Sequence, residues 1–226
     1  MKLRIKFSKH GAMRFIGHLD MMRYFQKAIR RAEVDISYST GFSPHQKMSF
    51  AAPLGVGVES NGEYMDIEVN SYDSLQQVKD SLNAQMAEGV TILNVIELPE
   101  DAKNAMSSVA AAKYTIFFRD GRKPAFDLQE AVTKLLSMKE VIITKETKKN
   151  TLDIDIRPYI YELSATEDTI SMFVDASSAN NVKPAFVVDS LYRISGEEHG
   201  EFDFWIQRED TYCLNRKKKF VPLDQI

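Results

Sequence analysis

Apolar and polar positions alternate from the start of the chain: Leu3, Ile5 and Phe7 interleave with Lys2, Arg4, Lys6 and Ser8. A period of two predicts a half-buried strand, here with one basic face. The period then lengthens. From about Leu19 to Glu33, Met21, Met22, Phe25, Ala28, Ile29 and Ala32 share one face of a helical wheel. Arg23, Lys27 and Arg30, with Arg31 beside them, take the opposite face. Val34–Tyr38 and Lys47–Ala52 read as extended, with Gly41–His45 turning between them. Glu63–Val69 alternates as a further strand. Leu75, Val78, Leu82 and Met86 predict a second helix over about Ser74–Ala87, and Val90–Ile96 closes the unit as a strand. The order β-α-β-β-α-β predicts a ferredoxin-like sandwich, an antiparallel sheet with helices on one face.

The pattern lapses between Pro99 and Ser108, which reads as a linker. A similar order then returns: a strand at Lys113–Phe118, a helix over about Asp127–Met138, and strands at Glu140–Lys145, Thr151–Leu163 and Thr169–Asp175. A helix at Pro184–Ile194 and a strand at Glu201–Gln207 follow. The prediction is an α+β protein of two tandem ferredoxin-like units, residues 1–103 and residues 109–226. No residue-level internal repeat accompanies them.

Composition narrows the chemistry. At 226 residues, 44% hydrophobic and 27% charged, the chain has the make-up of an ordinary globular protein. The single cysteine, Cys213, excludes an internal disulfide and a three- or four-cysteine metal cluster. The alternating start does not resemble a secretory signal, and no stretch approaches the roughly 20 apolar residues of a membrane span. The expectation is a cytoplasmic protein that touches no membrane and holds no cofactor or metal.

Charge changes the picture more. Although the net charge is −3, the first 50 residues carry ten Lys+Arg against three Asp+Glu. The remaining 176 carry nineteen against twenty-nine. Such an internal dipole presents its positive end to a negative partner, of which nucleic acid is the foremost class. The helical stripe of Arg23, Lys27 and Arg30, with Arg31 beside it, has no acidic residue four positions away within the helix to neutralise it. Lys6, Arg14 and Lys47 extend it, and all seven are candidate phosphate contacts. The alternative is a solvated face.

In the turn Gly41-Phe42-Ser43-Pro44-His45-Gln46-Lys47, Gly41 permits positive φ and Pro44 stiffens the backbone. A stiff loop can present Phe42 and His45 to an unpaired base; alternatively Phe42 plugs the core. His10, His18 and His45 all lie in the first 45 residues, but none has a second histidine at i+3 or i+4. Capping or binding roles fit them better than a metal site, and His18 joins the candidate RNA-binding residues. Pro53-Leu54-Gly55-Val56-Gly57-Val58 lacks the Lys-Ser/Thr of a phosphate loop. Arg216-Lys217-Lys218-Lys219 reads as a frayed tail.

Three segments together resemble one family: Arg14-Phe15-Ile16-Gly17-His18-Leu19-Asp20, the helix from Met22 to Ala32, and Tyr38-Ser39 with Gly41-Phe42-Ser43-Pro44-His45. That is the bacterial radical SAM-linked protein family, a domain of unknown function found beside or fused to radical SAM enzymes. Pro53-Leu54-Gly55, Gly57 and Glu63-Tyr64-Met65-Asp66 fit the same pattern. Gln46 departs from it, standing where a second proline is expected, which implies a less rigid loop. The resemblance implies a partner rather than a reaction, since one cysteine cannot carry the radical SAM cluster. The expected function is therefore a non-catalytic RNA-binding adaptor that presents rRNA or tRNA to a radical SAM enzyme in trans. One alternative is a metal-independent endoribonuclease using His18 and His45. Tandem ferredoxin-like units with an early histidine are similar to the CRISPR-processing RAMP nucleases, though no glycine-rich loop lies near the C-terminus. A protein-docking module that binds no nucleic acid is the other alternative.

Overall fold

The computed structural model describes residues 1–146 and 151–226. It is a mixed α+β protein whose strands pair mostly antiparallel. The chain divides into two compact units, one of Met1–Ala110 with Asp210–Ile226 and one of Ala111–Glu209. The segment after residue 209 thus belongs to the first unit, not to the second as the linear reading had it.

In the first unit, β1 (Lys2–Lys9) pairs antiparallel with both β3 (Glu59–Glu68) and β4 (Val90–Glu97), and β2 (Met48–Phe50) pairs with β3. The strand order is β4-β1-β3-β2. The helices α1 (His18–Arg31) and α2 (Leu75–Asn83) supply Met21, Phe25, Ile29, Val78 and Leu82 to a core with Leu3, Ile5 and Phe7 of β1. Phe7, Phe25 and Phe50 meet edge to face, with centroids 4.8–6.0 Å apart. That geometry adds about 0.5–1.5 kcal/mol per pair beyond the area buried. A 3₁₀ turn at Gly11–Phe15, which the periodicity did not predict, joins β1 to α1.

Gly89, just before β4, has φ +92°, and a Cβ there would lie 2.5 Å from the His10 carbonyl oxygen. Strain and overlap add, so Gly89→Ala is expected to destabilise the protein by about 1–3 kcal/mol in urea unfolding. A change below about 0.5 kcal/mol would show that the β1 end yields freely.

Of the basic face expected of β1, Lys2 meets solvent, but Arg4 and Lys6 are drawn into the protein. Arg4 is fully buried; its Nε and Nη2 donate to the Asp66 carboxylate at 2.8 and 3.0 Å. Nη1 and Nη2 also donate to the carbonyls of Leu223 and Lys103, each at 3.1 Å. Lys6 Nζ lies 2.6 Å from Asp210 and 3.8 Å from Asp224. The Tyr64 hydroxyl reaches the same two carboxylates at 2.7 and 3.0 Å. Burial first, and the Asp210 charge next, push that phenol above its ordinary range. The linker contributes α3 (Ala105–Ser108), whose first amide donates to Asp66. The tail is ordered too: Asn215 Oδ1 accepts from the Lys217 and Lys219 amides, closing the turn between β10 (Phe204–Leu214) and β11 (Phe220–Pro222).

The second unit places β5 (Ala111–Phe118), β8 (Ile160–Ala165), β9 (Thr169–Asp175) and the start of β10 in the order β10-β5-β9-β8. The helices α4 (Leu128–Ser137) and α5 (Pro184–Ser195) pack on this sheet through Val132, Leu135, Val188 and Leu191. The single strand expected over Thr151–Leu163 is broken by a 3₁₀ turn at Arg157–Tyr159, where Pro158 cannot donate to a ladder. Its first part, β7 (Thr151–Asp155), forms a separate hairpin with β6 (Ile142–Glu146).

Candidate functional site

The predicted site residues divide by what they touch. Lys6 is held by Asp210, as above. Arg14 Nη1 donates to Glu59 at 3.0 Å. Arg23 Nη1 donates to Asp20 at 3.0 Å on the exposed helix face, a partner three residues back that a search at four misses. Lys47 lies 2.7 Å from Glu68. Four of the seven candidate cations are therefore already engaged by carboxylates.

The other three lie toward the C-terminal end of α1. Lys27, Arg30 and Arg31 are exposed, and among the described residues none is within salt-bridge distance of a carboxylate. Arg30 Nε reaches only the Gln26 carbonyl at 3.4 Å; Arg31 donates to the Gln85 side chain and carbonyl at 3.2 and 3.1 Å. Cations in a last helical turn complement the helix dipole, which is one physical reason for their placement.

The predicted loop packs against this end of the helix. Ser39 and His45 pin its arms together: Ser39 N donates to the His45 carbonyl at 2.9 Å and His45 N to Ser39 Oγ at 3.1 Å. His45 Nδ1 lies 2.8 Å from the same oxygen. Gly41 at the tip has φ +113°. Phe42 projects entirely into solvent and plugs nothing; Tyr38, not counted among the candidate contacts, is 47% exposed in the same loop. Gln46 stands where the resemblance implies a second proline. It is buried, and its Nε2 donates to the Gln26 carbonyl of α1 at 3.2 Å, while its Oε1 has no partner among the described residues. Residue 46 thus fastens the loop to the helix.

The histidines do not assemble. His18 meets Phe50 in a T-shaped contact at 5.3 Å while His45 contacts Ser39, and the two histidines share no interaction among the described residues. His10 pairs with Glu59. No group of three or more His, Cys, Asp or Glu among the described residues can hold a metal. Cys213 is buried, and burial pushes its thiol up, away from the reactive thiolate. Lys9 escaped the sequence reading. It is almost wholly buried, donates to the Ile16 carbonyl at 2.7 Å, and lines a cavity of about 20 Å³ with His18, Phe50 and Glu63. Burial lowers its pKa, and the Glu63 charge opposes that shift.

A family model described as "Uncharacterized protein conserved in bacteria (DUF2344)" matches residues 2–184. The chain belongs to that family. The DUF2344 description names no enzyme, so the radical SAM partner stays an implication of the resemblance. The curated proteins contain no match. Among solved structures, a chain of "Crystal Structure of a Cbf5-Nop10-Gar1 Complex" is 8% identical with a TM-score of 0.48. The alignment covers 92% of this chain and 48% of that one, so the DUF2344 chain spans about half its length. "Crystal Structure of an Unknown Protein from Galdieria sulphuraria" is 13% identical with a TM-score of 0.28, over 92% and 96% of the two chains. Neither likeness carries weight for this DUF2344 chain at those scores. No helix among its described residues is long and apolar enough to cross a membrane.

Proposed function

We propose that this chain binds single-stranded RNA through the outer end of α1 and the Tyr38–Lys47 loop, and presents it to a separate radical SAM enzyme. One observation carries the RNA reading. Among the described residues, Lys27, Arg30 and Arg31 stand without carboxylate partners on the helix to which the Gln46 side chain ties a loop whose Phe42 ring is bare. Cations that track phosphates, next to a rigid ring that accepts a base, are the elements of sequence-tolerant single-strand binding. His45 offers its Nε2 edge from the same loop. The presenting role rests on the family resemblance, and on a lone cysteine that cannot hold a cluster. Both units are read as ferredoxin-like sandwiches. The orders β4-β1-β3-β2 and β10-β5-β9-β8 support that reading, with the β6–β7 hairpin as an insertion in the second.

The test is fluorescence anisotropy of a labelled single-stranded RNA. Phe42→Ala is expected to weaken binding by about 1–3 kcal/mol, the worth of one stacked base, without changing the melting temperature. Equal affinity for wild type and variant would remove the loop from the site. No binding by the wild type at low salt would remove the reading altogether.

A further inference from the structure

Three donors near the start of the 3₁₀ turn converge on one carboxylate. Glu59 Oε1 accepts from the Gly11 amide at 3.1 Å and from Arg14 Nη1 at 3.0 Å, and Oε2 lies 3.2 Å from His10 Nδ1. The cluster borders solvent, the side chains of His10, Arg14 and Glu59 being 35%, 26% and 13% exposed. Gly11 has φ +58°, and nothing lies within 4 Å of where a Cβ would stand, so no side chain crowds the segment there and its amide is covered by Glu59. Gly89 holds the same segment from behind through His10 N, which donates to its carbonyl at 2.7 Å.

We propose that His10, the Gly11 amide and Arg14 form a binding site for a phosphate group, kept shut in the free protein by the Glu59 carboxylate as its resident mimic. A carboxylate offers two oxygens and one charge to a backbone N–H, a ring N–H and a planar guanidinium. A phosphate offers more oxygens and at least equal charge to the same set, and guanidinium geometry favours it. The carboxylate holds the site because it is tethered there at high effective concentration. Removing its charge opens the site. This inference does not rest on the α1 surface. Its test begins with inorganic phosphate, so its failure and that of the RNA reading are separate results.

Glu59→Gln keeps the shape of the side chain and discards the competing charge. Titration calorimetry with inorganic phosphate is expected to give at least about tenfold tighter binding to E59Q than to wild type. Arg14→Gln in the same background should cancel the gain. A parallel titration with a short single-stranded RNA separates the sources. Tightening by E59Q in both arms assigns a nucleic-acid phosphate; tightening with inorganic phosphate alone assigns a small phosphorylated ligand. A folded E59Q with no gain in either arm overturns the proposal. If E59Q does not fold, the wild type decides: concentrated phosphate must shift the Gly11 amide resonance, and R14Q must abolish the shift. A resonance that stays in place overturns the proposal equally.

Discussion

Asp66→Ala is expected to destabilise the protein by about 3–5 kcal/mol, because it strands the fully buried Arg4 guanidinium without a counter-charge. The attraction in an intact buried pair is largely offset by the desolvation of its members, so the pair itself adds little net stability. Removing one partner exposes the whole desolvation cost of the other. The Ala105 amide would also lose its acceptor at 2.6 Å, at about 1–3 kcal/mol for an orphaned buried donor. Urea unfolding followed by far-ultraviolet circular dichroism measures the loss. The double change Arg4→Met with Asp66→Leu should recover most of it but not all, since nothing then accepts from Ala105. A loss below about 1 kcal/mol for the single change would mean that water or another carboxylate reaches Arg4.

Charge reversal of Lys27, Arg30 and Arg31 to Glu is expected to lower RNA affinity by at least about a hundredfold. Each reversal replaces an attraction of about 1 kcal/mol in water by a repulsion of similar size, and salt screens part of the sum. With three phosphate contacts, the wild type should show a slope of log affinity against log salt near about −2, falling toward zero in the variant. Arg23→Glu serves as the contrast, since Arg23 already faces Asp20, and it should cost far less. Equal losses from Arg23→Glu and from the triple reversal would mean that general charge, not this site, drives binding. An unchanged slope in the triple variant would end the proposal.

Much of the architecture was legible because it is local. The two-residue period of Leu3, Ile5 and Phe7 and the helical spacing of Met21, Phe25 and Ile29 reflect which face each element buries, and those residues are indeed the core. Phe42 was legible as a loop residue, but its exposure was not, because a ring beside glycine and proline serves equally as plug or platform. The broken strand at Ile156–Tyr159 was marked by Pro158. The charge pairing had no such local sign. Arg4 and Asp66 are 62 positions apart and Lys6 and Asp210 are 204 apart, distances at which no periodicity operates. A basic strand face read from its own residues therefore looked like a ligand surface, although carboxylates of the same unit engage its Arg4 and Lys6.

The sequence by itself determined the order of elements, the faces they bury, the acidic–basic asymmetry along the chain and the exclusion of cysteine-based clusters. These follow from residue type and spacing within one element. Only the tertiary structure decided which cations are neutralised, that the last residues return to the first unit, and that Phe42 is bare in a loop tied through Gln46 to the helix of Lys27, Arg30 and Arg31. Electrostatic pairing depends on distance in space, and only the folded chain sets that distance.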